Sequence, residues 1–215
     1  VTRGFTILCP APVDRVAVIL DGGFVRKKLE AILATFPTAS DFQNLVAQIM
    51  GKAPLAGMVL FRVYHYDSPP FRGSATNPLD GSVINFRASK WFRDHQSLLD
   101  SLEMEPNFSV GRGTSLCHGW KLGSAALRSL AAGPRLLVPH DILPDIEQKG
   151  VDIRIGLDVA MLALKRIVEA IVVVSGDSDL APVMSFAQRE GLRVYLDTLG
   201  HPVRPELRAN SDIVL

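Results

Sequence analysis

Two short apolar runs constrain most of what this chain can fold into. Val16-Ala-Val-Ile-Leu20 ends in Asp21-Gly22-Gly23, and Ala170-Ile-Val-Val-Val174 ends in Ser175-Gly176-Asp177. An apolar run without polar alternation suits a strand buried on both faces, and that setting belongs to parallel sheets covered by helices. In each case a glycine- and aspartate-containing turn follows directly, so the chain leaves the sheet at a defined carboxyl end.

The rest of the chain extends this pattern. Met58–Tyr66 reads as a strand rich in β-formers and is ended by Ser68-Pro69-Pro70. Residues 107–111 and 192–196 read as further strands, and 213–215 as a last short one. Helical patterns lie between them: residues 24–35 with basic residues outward, a stretch capped by Asp41 that runs to Met50, then 86–102, 153–168, and 180–190 closed by Gly191. In the helix over 86–102, Phe86, Trp91, Leu98 and Leu102 are expected to face inward. Strands alternating with helices predict an α/β fold of three layers, α/β/α, around a central, mostly parallel sheet. Between about 71 and 144 the signal weakens. Residues 112–144 are rich in Gly, Ser and Pro and predict an insertion or lid within a single domain over 1–215.

Bulk properties exclude some alternatives. With 215 residues, 47% of them hydrophobic, the chain has enough material for one sizeable core and little for two. Cys9 and Cys117 lack metal-ligand spacing, which points to a reducing cytoplasm. No apolar run approaches the ~20 residues of a membrane span. Val1–Pro12 lacks a signal-peptide pattern, and the absence of an initial Met leads us to expect that the natural N-terminus lies elsewhere. A net charge of +1 leaves the partners open.

In open α/β sheets, chemistry gathers beyond the carboxyl ends of strands, where the strand order reverses. Asp21, Asp177 and Asp179 follow strand ends. Asp158 is expected in the first turn of the helix feeding the strand at 170–174, with Asp152 just before that helix. Two carboxylates ~4 Å apart repel by roughly 4 kcal/mol at an effective dielectric near 20. A proton or a cation relieves this, and clustered oxygen ligands without His or Cys suit Mg²⁺ or Mn²⁺. Each aspartate also has a structural alternative: Asp158 beside a helix dipole, Asp179 as an N-cap, Asp152 in a turn.

The joint pattern resembles the NYN domain, LabA-like members of the PIN-like nuclease fold. VAVILDGGF (16–24), QKGVDIRIGLDVAMLALKR (148–166) and IVVVSGDSDLAPVMSFAQREGLRVYLD (171–197) carry the resemblance, with VLFRVYHYDSPP (59–70) and ELRANSD (206–212) in support. It implies a PIN-like, Rossmann-like topology and a Mg²⁺- or Mn²⁺-dependent ribonuclease site. Asp21, Asp158 and Asp177 would bind the metal, and Asp179 and Asp152 would assist, through water or hydrogen bonds. The chain departs from the family where many members have an Asn: it carries Gly23-Phe24.

For substrate, Lys149, Ser175 and Ser178 are candidates near the acidic group, and Arg112 and Lys121, with His118 and Trp120, combine basic and aromatic character in a Gly-rich stretch. Arg87, Lys90 and Arg93 fall at helical spacing. RNA is the expected partner, and a homodimer or a further domain is consistent with the sequence. Two other readings compete with a nuclease. One is a binding module of the same fold with weak or no activity. The other is a haloacid dehalogenase-type phosphatase, against which Gly23 counts, because that chemistry needs an acid two residues after Asp21.

Overall fold

A computed structural model describes residues 14–215. The apolar runs form the middle of one sheet. β1 (Arg15–Asp21) lies between β8 (Ala170–Val174) and β2 (Val59–Asp67), and the order of the six strands is β10-β9-β8-β1-β2-β5. Here β9 is Arg193–Asp197, β10 is Ile213–Val214 and β5 is Phe108–Arg112. All five pairings in this sheet are parallel. Val16 through Leu20 are fully buried, as an apolar run in a central strand requires. Fully burying such a side chain contributes roughly 1.5–3 kcal/mol.

Successive residues of β1 face opposite layers. Val16, Val18 and Leu20 pack on α1 (Gly22–Leu33), α2 (Ala39–Met50) and α3 (Lys90–Met104). Ala17 and Ile19 pack on α5 (Val151–Leu164) and α6 (Ala181–Arg189), with Leu207 of α7 (Pro205–Ala209) in the same layer. The result is the expected α/β/α arrangement. From β1 the chain moves to β2 on one side and later returns to β8 on the other. The order therefore reverses at β1 and β8, whose register sets Leu20 level with Val174.

Several local expectations change. Asp41 is not the cap of α2. It lies in the first turn and accepts hydrogen bonds from the backbone N and Oγ1 of Thr38, the N-cap residue. Helix α3 begins at Lys90 because Ser89 caps it, its Oγ accepting from Phe92 N. Phe86 falls in a preceding 3₁₀ turn and Trp91 is 46% exposed, so neither joins the core, whereas Leu98 and Leu102 do. Helix α5 begins at Val151, where Gly150 turns the chain with φ 78°. Asp158 is therefore the eighth helical residue, two turns in, and the first-turn acid is Asp152.

The segment over 71–144 divides in two. α3 and β5 extend the main sheet beyond β2. Two smaller units stand outside it: a hairpin of β3 (Ser74–Thr76) and β4 (Val83–Asn85), and an antiparallel ribbon of β6 (Thr114–Leu122) and β7 (Ile142–Lys149). α4 (Ser124–Ala132) connects the strands of the ribbon. Cys117 lies in β6 as a free thiol, and Cys9 lies outside the described residues. Among the described residues no helix is long and apolar enough to cross a membrane.

Candidate active site

Asp21 ends β1 and caps α1. One carboxylate oxygen accepts from Phe24 N at 3.1 Å, and the other accepts from Ser175 Oγ at 2.8 Å. The turn is tight because Gly22 leaves no room for a side chain: a Cβ there would stand 2.6 Å from His65 Cε1 and 2.7 Å from the Tyr66 carbonyl oxygen. Burial raises the Asp21 carboxyl above its ordinary value. The two hydrogen bonds oppose that shift, and the charges of Asp67 and Asp177 add to it.

Ser175 joins the two strand ends. Fully buried, it donates to Asp21 and accepts from Asp177 N at 3.0 Å. Both hydrogen-bonding roles of the hydroxyl are used within the protein, so Ser175 positions carboxylates and does not face substrate. Asp177 is exposed, and its Oδ1 accepts from Asp179 N at 3.1 Å. Asp152 is pushed up by burial and by the charges of Asp177 and Asp179. Asp177 is thus the member of the group that acts on both Asp21 and Asp152. Like charge gathered around a carboxylate marks a place where positive charge is stabilising.

Asp158, on α5, has its own partner. Its Oδ2 accepts from the Tyr66 hydroxyl at 2.7 Å. Tyr66 is buried, and burial, together with the Asp158 carboxylate, holds its phenol far above the ordinary value. The charge of Asp158 acts on Tyr64 and Tyr66, while the charges acting on Asp21 come from Asp67 and Asp177. Among the described residues no three His, Cys, Asp or Glu side chains are arranged to hold a metal ion. The donor chemistry still fits a hard cation, because Mg²⁺ commonly binds through one or two carboxylates and completes its shell with water and substrate phosphate.

Asp21 and Asp177 open into a cleft of about 550 Å³ that is also lined by Gly23, Phe24, Lys27, Lys28, Gln148, Gly176, His201 and Arg204. Its cationic wall comes from α1 and the β9–α7 loop, and the sequence reading missed it as a substrate surface. Basic residues on the outer face of the first helix were its visible signal. Lys28 Nζ lies 3.5 Å from His201 Nδ1, and Arg204 donates to Ser178 Oγ at 3.0 Å. Ser178 is thus held by the cationic wall.

The other substrate candidates are engaged elsewhere. Arg112 donates to Asp100 at 2.8 Å and Glu103 at 2.9 Å, tying β5 to α3. Lys121 pairs with Asp145 across the ribbon, Lys149 pairs with Glu147, and His118 lies 3.1 Å from Glu147. Lys90 of the expected basic stripe pairs with Asp94. These cations serve the ribbon and α3.

Fold and site together define a parallel α/β protein with an acidic group at its switch point and a cationic wall facing it. Comparison with known proteins adds a family match. The NYN domain model matches residues 113–212, from just before β6 to just before β10. The match includes Asp152, Asp158, Asp177 and Asp179 and stops short of β1 and Asp21. Over 71 residues the chain is 42% identical to "Uncharacterized protein y4oD" of Sinorhizobium fredii (strain NBRC 101917 / NGR234), covering 31% of this chain and 32% of that protein. It thus spans about a third of that relative. The crystal structure of a protein of unknown function, VPA0982, from Vibrio parahaemolyticus matches with a TM-score of 0.53 at 13% identity, over 97% of this chain and 95% of that one. At that identity the likeness concerns the fold.

Proposed function

We propose that the cleft hydrolyses phosphodiester bonds, with RNA as the substrate and Mg²⁺ or Mn²⁺ as the cofactor. The observation that carries this is the position of Asp177, whose charge acts on Asp21 and on Asp152 beside a wall of Lys27, Lys28 and Arg204. The match of residues 113–212 to the NYN domain, a family of PIN-like ribonucleases, supports the substrate class.

Asp21 and Asp177 would hold the cation, and Asp152 and Asp179 would orient its water ligands. In this reading Asp158 makes no metal contact, since Tyr66 donates to its Oδ2 and the charges that act on Asp21 are those of Asp67 and Asp177. When bound, a divalent ion supplies a water of lowered pKa and neutralises charge on the phosphodiester. The chain's own residues do the rest. Ser175 fixes the Asp21 carboxylate by donating to it. Lys27, Lys28 and Arg204 bind the phosphates on either side of the reacting one and draw the polyanion into the cleft. The test is cleavage of end-labelled RNA with either metal by the wild type and by Asp177→Asn. Cleavage that survives in Asp177→Asn would sink the proposal.

A second reading rests on Phe24. Its ring lies edge-on to His201 at 6.1 Å, and a Cβ on Gly176 would approach it to 2.8 Å, so an aromatic side chain occupies one side of the cleft. A binding module would use that ring to stack bases without cutting. RNA binding with no cleavage in either metal, across several substrates, is its signature. The phosphatase reading gains nothing: the place its acid would need is Gly23, with Gln148 Oε1 3.7 Å from where a Cβ would stand.

A further inference from the structure

Beside the acidic cleft lies a smaller cavity of about 270 Å³. Gly23, Lys27 and Gln148 line both, so the two share a wall. The smaller cavity is rich in aromatic side chains: Phe71, Phe86, Trp91 and Phe92. Phe71 and Phe86 meet edge to face at 5.5 Å, and the Arg26 guanidinium lies 5.5 Å from the Trp91 ring centroid. Trp91 is 46% exposed, an unusual position for an indole that the core does not use.

Among lining residues, Ser68 Oγ is buried without a hydrogen-bond partner on a residue that is 0% exposed, and the buried Arg26 Nε has only the Asp67 carboxylate at 3.7 Å. Buried polar atoms are nearly always paired, so Ser68 Oγ, left without a partner beside the cavity, points to a ligand that completes it. Gln148 donates through Nε2 to Asp67 Oδ1 at 3.1 Å, and its Oε1 remains as an acceptor on the shared wall.

We infer that this cavity is a nucleobase site that takes one base of a strand whose adjoining phosphate lies in the Asp21–Asp177 cleft. The placement of that phosphate rests on the nuclease reading, and the base site does not. Aromatic faces stack any base, while Arg26, Ser68 and Gln148 offer donors and an acceptor to its edge. Lys27 borders both cavities and meets the linking phosphate. The volume falls just below the ~300–1,000 Å³ of ordinary small-molecule sites, which suits a single base.

The test is done on the full chain in EDTA, which removes any contribution from metal. The four ribonucleoside 5′-monophosphates and ribose 5-phosphate are titrated by calorimetry and by fluorescence in a Trp120→Phe background, where Trp91 is the reporter. At least one monophosphate is expected to bind roughly tenfold or more tightly than ribose 5-phosphate, as one base–aromatic stack allows. Trp91→Ala and Phe86→Ala, both at partly exposed positions, should each weaken it by about tenfold. Lys27→Ala should weaken the monophosphates and leave the free nucleosides unchanged. If ribose 5-phosphate binds as well as all four monophosphates, or both aromatic variants leave binding unchanged, the base site is wrong. Base-dependent binding without cleavage in Mg²⁺ or Mn²⁺ would keep the base site and overturn the nuclease reading. Cleavage with base-independent binding would do the reverse.

Discussion

The Tyr66 hydroxyl donates to the Asp158 carboxylate at 2.7 Å, from a strand of the sheet to a point two turns into the helix above it. The bond gives a buried phenol its partner and occupies one oxygen of Asp158. Asp158→Asn keeps an acceptor there and should retain most of the cleavage that Asp177→Asn abolishes. Asp158→Ala leaves the phenol unpaired in the core and should lower stability by about 1–3 kcal/mol. Parallel cleavage assays and denaturant titrations check both. Equal loss of cleavage in Asp158→Asn and Asp177→Asn would return Asp158 to the metal group.

Asp21 should trade stability for function. Its carboxyl is raised by burial, with Asp67 and Asp177 adding to the shift. A carboxyl whose folded pKa lies above its unfolded value favours folding while protonated. Its contribution is therefore present below the unfolded value, 3.8, and is lost as pH rises through the folded one. At neutral pH, Asp21→Asn should melt at a higher temperature than the wild type in EDTA. Mg²⁺ should then raise the melting temperature of the wild type and leave that of Asp21→Asn nearly unchanged, since a ligand stabilises only the state that binds it. A variant that melts lower in EDTA, or that gains equally from Mg²⁺, would contradict this account.

His65 predicts an acid limb of stability. It is fully buried, edge-on to Phe42 at 5.1 Å, and neither ring nitrogen has a hydrogen-bond partner. Burial is the main cause that lowers it from 6.5 to about 4, with the Asp67 charge opposing. A histidine depressed in the folded state contributes stability above the unfolded value, and that contribution is lost as pH falls from 6.5 towards 4. The loss is roughly 3 kcal/mol across that window. His65→Leu should flatten the limb in melts taken across it. A limb of unchanged depth would assign it to other groups.

The sheet was legible because uninterrupted apolar runs have few other places to go, and the turns behind them made Asp21 and Asp177 visible. The ranking of Asp152 and Asp158 was harder, because it depends on where α5 begins. Gly150, at φ 78°, sets that start at Val151, and a glycine just before Val151 was the available signal. Substrate cations could not be read from local density of charge. Arg112 and Lys121 stand in a basic-looking stretch, yet each has acidic partners on the element packed beside it. Lys27 and Lys28 resembled an ordinary solvated helix face. The pairing of His95 Nε2 with Asp67 Oδ2 at 2.9 Å joins residues 28 positions apart, and no periodicity records it.

The two sets of cations therefore make opposite predictions for RNA. Lys27 and Arg204 line the cleft, whereas Arg112 is held by Asp100 and Glu103. Each phosphate contact that is lost should reduce the salt dependence of binding by about one unit in the log–log slope. Lys27→Ala and Arg204→Ala should each weaken RNA binding and flatten that slope. Arg112→Ala should leave both unchanged and lower stability by about 1 kcal/mol, since its partners Asp100 and Glu103 are 57% and 41% exposed. Binding of a labelled single strand at several salt concentrations, with an unfolding curve for each variant, separates the two effects. A slope that falls in Arg112→Ala and holds in Lys27→Ala would move the substrate path from the switch point to the β5–α3 side of the sheet.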